Sequence, residues 1–193
     1  NSFELLKNCL LTVFEYSKGF VFEVIIVDNN SSEGNIDDIV KEYENVILIK
    51  NQTNLGFSKA NNIGLSVAKG KYILFLNNDV YFFENSIKKV LDYVKKQPDN
   101  TFIGCKLLNT DKSWQASTAN FPSGLNSFSA NFFLYLLFPN SKALNKYYLQ
   151  KREVEEPVVV DYVLGAFLFG ERETLLKLKG FDERFFFYAE DID

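Results

Sequence analysis

Apolar positions along the 193 residues follow two rhythms in turn. Leu5, Leu6, Cys9, Leu10, Val13 and Phe14 recur at the i, i+4, i+8 spacing of one helix face and predict an amphipathic helix over 2–17. Phe22–Val27 is instead a short β-branched run closing on Asp28, the pattern of a buried strand. A helix is expected over Ser31–Glu44, with Ser31 or Ser32 as its cap. Val46–Ile49 predicts a second strand, Phe57–Ala68 a helix from its Ala60, Ile63, Val67 spacing, and Tyr72–Leu76 a third strand. Ile87, Val90, Leu91 and Val94 mark another helical stripe, and further strands are expected within Phe102–Leu108 and Val158–Phe169. Strand and helix alternate in units of roughly 25–30 residues, the rhythm of a mostly parallel sheet flanked by helices on both faces.

In such α/β sheets ligands bind beyond the carboxyl ends of the strands. The three predicted strand ends carry Asp28-Asn29-Asn30-Ser31-Ser32, Asn51-Gln52-Thr53-Asn54-Leu55-Gly56 and Asn77-Asn78-Asp79. Neither the Gly-x-Gly-x-x-Gly turn of a dinucleotide fold nor a P-loop is present, so ligand contacts fall to side-chain carboxylates and amides. Taken singly, Asp28–Ser32 also reads as an Asx turn capping the next helix and Asn77–Asp79 as a polar turn. Their joint placement at one sheet edge favours a site for a base, a ribose and a metal ion. Asp79 follows the apolar strand end Leu74-Phe75-Leu76, which would hold its carboxylate rigidly at the lip. A hard divalent cation takes one or two carboxylates plus substrate phosphates.

Composition narrows the chemistry. The chain is 47% hydrophobic and 24% charged, as expected of a globular domain, with a high aromatic share of 16%. A net charge of −4 gives no ground for a nucleic-acid partner. There is no His, which removes His-based triads and His zinc sites and leaves acid–base work to carboxylates, Lys, Tyr or Cys. Cys9 and Cys105 alone suggest no disulfide framework and a reducing compartment. The apolar runs are far shorter than the ~20 residues a bilayer span needs. The chain opens at Asn1 without Met and stops at Asp193 in an acidic cluster, and is read as one domain trimmed at both ends. That cluster, Glu190-Asp191-Ile192-Asp193, follows Phe185-Phe186-Phe187-Tyr188. It is either a solvated turn or, if the aromatics desolvate it, a source of a general base.

Read in order, these segments resemble glycosyltransferase family 2, over nearly the whole chain. VIIVDNNSS at 24–32 is similar to its nucleotide-binding strand end, and Asn54-Leu55-Gly56-Phe57 with Ala60-Asn61-Asn62 and Gly64 to its NxGFxxANNxG segment. LFLNNDV at 74–80 sits where the family carries a metal-binding Asp-x-Asp motif, with Asn77 replacing the first Asp. DYVLGAFLFG at 161–170 resembles its acceptor-side Gly-Ala strand, and Gly180-Phe181-Asp182-Glu183 with Tyr188–Asp193 the segment bearing the catalytic base. Asn1 resembles the end of an opening strand that is itself missing here.

The resemblance implies the GT-A (nucleotide-diphospho-sugar transferase) fold and an inverting, metal-dependent transferase in cell-surface polysaccharide synthesis, closest to a rhamnosyltransferase-like branch. It implies a UDP- or dTDP-sugar donor, with rhamnose one option, and a glycan or lipid-linked acceptor. By resemblance, Asp28, Asn30, Asn54, Lys59, Asn77 and Asn78 serve the nucleotide, Asp79 holds Mg²⁺ or Mn²⁺, Glu190, Gly165 and Ala166 meet the acceptor, and Asp191 is the base. Chemistry alone does not separate Glu190, Asp191 and Asp193; the motif selects Asp191.

One base and one metal-binding Asp suit a transferase, because a nucleoside diphosphate leaves without the second carboxylic acid a glycosidase needs. The rival readings are a sugar-phosphate nucleotidyltransferase and an inactive sugar-nucleotide-binding module. The segment 128–152 combines Phe128 and Phe132–Phe138 with Lys142, Lys146, Lys151 and Arg152. It is either a core-packing helix with a basic loop or a peripheral contact with an anionic membrane. The implied location is the cytoplasm, at the inner face of the membrane.

Overall fold

A computed structural model describes residues 3–115, 118–119, 132–137 and 156–186. The predicted first helix is α1, Phe3–Tyr16, which buries Cys9, Leu10 and Val13 from the expected stripe. Next come β1 (Val24–Asp28), α2 (Ile36–Val40), β2 (Val46–Lys50), α3 (Phe57–Val67), β3 (Tyr72–Leu76) and α4 (Ser86–Val94). These match the predicted order, and β3 matches residue for residue. Asn85 caps α4 by accepting the Lys88 N–H at 3.3 Å.

The helix expected over Ser31–Glu44 is instead confined to Ile36–Val40. The Asp28 carboxylate accepts the Ser31 N–H at 3.0 Å, so the stretch begins as an Asx turn. Asn30 (φ 63°) and Gly34 (φ 65°) then adopt left-handed backbone, which no helix continues through. The cap is Asn35, not Ser31 or Ser32, and its side chain makes no cap bond.

Sheet pairing is mixed among the described residues. β1 and β2 pair in parallel, Val24 opposite Val46 through Asp28 opposite Lys50. β3 pairs antiparallel with β8 (Phe167–Glu171), Leu76 opposite Phe167, and Ile103 bridges to Phe169. β8 returns after a long excursion of the chain and carries on directly into α6, Arg172–Leu178. β1 and β3 do not pair with each other, and all five residues of each line one cavity of about 1170 Å³.

The chain divides into two compact units. One comprises the residues up to Ile103 together with those from Gly165 onward. Its core joins Leu65 of α3, Phe75 of β3, Leu175 of α6 and Phe181, all at most 9% exposed. Burying an aromatic of this size contributes about 2–3 kcal/mol. The Phe181 ring lies 4.8 Å from that of Phe75 and 5.8 Å from that of Phe57. The other unit, Gly104–Leu164, contains short antiparallel pairs: β4 (Leu107–Leu108) with β5 (Trp114–Gln115), and β6 (Thr118–Ala119) with β7 (Tyr162–Val163). It also holds the single turn α5, Leu134–Leu137. The strands expected within Phe102–Leu108 and Val158–Phe169 are found as β4, as β7 and as the start of β8, with Ile103 adding an isolated bridge to Phe169.

Candidate active site

The carboxyl ends of β1 and β3 open on the same cavity. Asp28, Asn29 and Ser31 rim it on one side and Asn77, Asn78 and Asp79 on the other. Backbone and amide side chains fix this lip. The Asn51 N–H donates to the Asp28 carbonyl at 2.8 Å, prolonging the β1–β2 ladder past its end. The Asn51 amide donates to Asn29 Oδ1 at 2.9 Å, and the Asn29 amide donates to the Gly56 carbonyl at 3.0 Å. Asn54 Oδ1 accepts the Gly56 N–H at 2.9 Å. One strand end is thus tied to the loop leading into α3.

On the far side, the Asn77 N–H donates to the Ala166 carbonyl at 3.1 Å and the Val80 N–H to the Asn77 carbonyl at 3.3 Å. Gly165 and Ala166, expected to face the acceptor, therefore stand directly beside the β3 end, and Gly165 is buried. The Cys9 thiol donates to the Asn77 carbonyl at 3.8 Å from beneath. Burial, and then the negative charge of nearby Asp79, push the Cys9 thiol up to about 12. Asp79 itself is exposed.

The other expected contacts are placed as follows. Asn30 is exposed on its left-handed backbone and Asn54 spends its carbonyl on the Gly56 turn; neither lines the cavity. Lys59 also lies off the cavity, its ammonium 4.0 Å from the Glu183 carboxylate. Glu190 and Asp191 lie outside the described residues, as do 128–131 and 138–152 of the basic and aromatic segment. Within that segment Phe132, Phe133 and Leu137 are exposed. Among the described residues no helix is long and apolar enough to cross a membrane.

The residues leading toward the acidic cluster are anchored firmly. The Asn62 amide donates to the Phe181 carbonyl at 2.8 Å and accepts the Phe181 N–H at 2.9 Å. Farther on, the Phe57 N–H donates to the Phe186 carbonyl at 2.8 Å. Sequence reasoning passed over Asn29, Asn51 and Asn62 as site residues. The signal was the density of Asn at the strand ends and on α3, since a side-chain amide can donate and accept at once.

The chain belongs to glycosyl transferase family 2, whose model matches residues 1–163. It is 28% identical over 177 residues to rhamnosyltransferase WbbL of Escherichia coli K12, covering 88% of this chain and 63% of that protein. It is also 28% identical over 183 residues to the N-acetylglucosaminyl-diphospho-decaprenol L-rhamnosyltransferase of Mycobacterium tuberculosis, covering 88% and 58%. The chain thus spans about 60% of the length of these relatives. In fold it is similar to residues 1–349 of Staphylococcus aureus TarS, with TM-score 0.66, 19% identity and coverage of 100% and 50%. It is equally similar to the Pyrobaculum calidifontis mannosyltransferase PcManGT in complex with GDP-Man and Mn²⁺, with TM-score 0.66, 16% identity and coverage of 100% and 47%. The expected GT-A fold is therefore found.

Proposed function

We propose that this chain is the catalytic GT-A domain of an inverting transferase that moves a sugar from a nucleoside diphosphate to a glycan or lipid-linked acceptor. The observation that carries this is the shared rim: Asp28 ends β1 and Asp79 lies three residues past the end of β3, both lining one cavity, with Ala166 bonded to the residue that opens the Asp79 turn. Asp28 and Asn29 are suited to the nucleoside, and Asn77 and Asn78 to the ribose or phosphates. The rhamnosyltransferase relatives make a dTDP- or UDP-linked deoxyhexose the first donor to try. A lipid-linked acceptor, as the mycobacterial relative's name implies, would put the protein at the cytoplasmic face of a membrane.

The residues fit a divalent cation. The Asp79 carboxylate is exposed and has no hydrogen bond or ion pair among the described residues, and these contain no cluster of three metal-ligating side chains. One carboxylate with substrate phosphates completing the shell is how Mg²⁺ and Mn²⁺ are commonly held. Bound there, the ion would neutralise charge on the departing diphosphate. The chain's own work is to hold the nucleoside over β1, to keep Gly165 and Ala166 small beside the acceptor, and to take the acceptor's hydroxyl proton at Asp191.

Family membership removes the ground for a nucleotidyltransferase. Activity separates the remaining rival, an inert binding module. In the full-length protein Asp191→Asn abolishes transfer and leaves nucleotide binding intact; unchanged transfer refutes the base. Thermal shift with nucleoside diphosphates tests the metal. A nucleoside diphosphate should stabilise the protein by ~2.7 kcal/mol once it exceeds Kd a hundredfold, Mn²⁺ should enlarge that shift, and Asp79→Asn should erase the Mn²⁺ increment alone.

A further inference from the structure

The segment 180–186 lies across α3 and is tied to it at both ends. Lys179 and Gly180 turn left-handed (φ 68° and 71°) at the end of α6, where the Gly180 N–H closes on the Leu175 carbonyl at 2.9 Å. Asn62 then takes both backbone polar groups of Phe181, and its amide also donates to Glu183 Oε1 at 3.2 Å. A Cβ on Gly180 would run into the Asn62 amide oxygen, so the turn and the amide are fitted to each other. Five residues nearer the start of α3, the Phe57 N–H meets the Phe186 carbonyl. The segment therefore runs antiparallel to α3, from its middle toward the lip, and is fixed again beside Gly56. Gly56 is in turn bonded to Asn29, next to Asp28. From Phe186 to Glu190 is four residues, at most ~14 Å of chain.

We infer that Asn62 is a positioning residue, whose amide sets the register of the 180–186 segment on α3 and thereby the point from which the chain continues to the acidic cluster. The inference rests on the reading of Asp191 as base. No other side chain bonds the backbone of this segment from outside it among the described residues. Lys59 reaches only the Glu183 carboxylate, and Asp182 and Arg184 bond to each other within the turn. An amide is required because the contact needs a donor and an acceptor on one planar group, matched to a peptide's N–H and C=O. Serine or alanine at 62 leaves at least one of these partners unbonded and lets the segment slide. Placement errors of an ångström cost catalysis on the order of a hundredfold.

The test compares Asn62→Ala, Asn62→Asp and Asp191→Asn in the full-length protein, reading transfer kcat, donor KM and nucleoside diphosphate affinity. Asn62→Ala is expected to lower kcat roughly ten- to a hundredfold, with donor KM and nucleotide affinity within about twofold of the parent. A purely structural role would lower Tm and the folded fraction while the folded molecules kept the parent kcat. Asn62→Asp keeps the shape and the acceptor for the Phe181 N–H but loses the donor. It should fold and fall between the parent and Asn62→Ala, and it decides the matter if the alanine variant does not fold. If Asp191→Asn is inactive while a folded Asn62 variant retains the parent kcat, the positioning role is overturned. If Asp191→Asn itself retains transfer, the base assignment has failed, and this inference with it.

Discussion

Replacing Gly56 by alanine probes the join between α3 and the segment that precedes the acidic cluster. Gly56 has φ 86° and ψ 174°, a region open essentially to glycine alone, where a side chain costs about 1–3 kcal/mol. An added Cβ would also stand 2.6 Å from the Phe186 carbonyl oxygen and 2.8 Å from its ring. Relief requires Phe186 to withdraw, which breaks the 2.8 Å bond from the Phe57 N–H and costs about a further 1 kcal/mol. Gly56→Ala should thus destabilise the protein by about 2–4 kcal/mol. In a protein of this size class each kcal/mol lowers Tm by about 2–4 °C. Urea unfolding of the parent and variant measures the difference directly. Gly64→Ala, eight residues further on and inside α3, is the control. Its Cβ would make only an ordinary 3.5 Å contact with Val27, and alanine gains up to about 1 kcal/mol of helix propensity. A Gly56→Ala protein within about 0.5 kcal/mol of the parent would refute both the backbone conformation and the seating of Phe186.

The Cys9 thiol, raised to about 12, should be all but inert to a thiol reagent at pH 8, where the thiolate fraction is about 10⁻⁴. The half-buried Cys105 should label first, and mass-mapped alkylation with and without urea reads the order; prompt labelling of Cys9 in the native protein contradicts the packing of α1. Lys59→Ala should change stability by less than about 1 kcal/mol, since its ion pair with Glu183 is half exposed. Titration of the variant with a nucleoside diphosphate places Lys59 outside the donor site if affinity is unchanged, and inside it if affinity drops tenfold or more.

The elements most legible in the sequence were those whose own periodicity meets a buried face. β3 is five apolar residues, of which Phe75 is buried, and its limits needed no tertiary information. The stretch after β1 defeated periodicity because its polar groups bond locally: the Asp28 carboxylate takes the Ser31 N–H, and two left-handed residues follow. The antiparallel return of β8 was equally hidden, since a strand's direction depends on the path of the intervening chain. That Asp28 and Asp79 line one cavity was legible from position, since each lies at or just past the carboxyl end of an apolar run. The amide links were not: Asn29 to Gly56 and Asn62 to Phe181 span 27 and 119 residues, and nothing local marks an amide aimed at a distant backbone.

The struts of the lip are neutral. Asn29, Asn51, Asn54 and Asn62 neither gain nor lose a proton at any pH the fold survives, the chain has no imidazole, and the thiol beneath Asn77 stays protonated to about 12. These amide links therefore hold unchanged from mildly acid to mildly alkaline solution, and a bend in the pH–rate curve over that range traces to carboxylates or to the substrate.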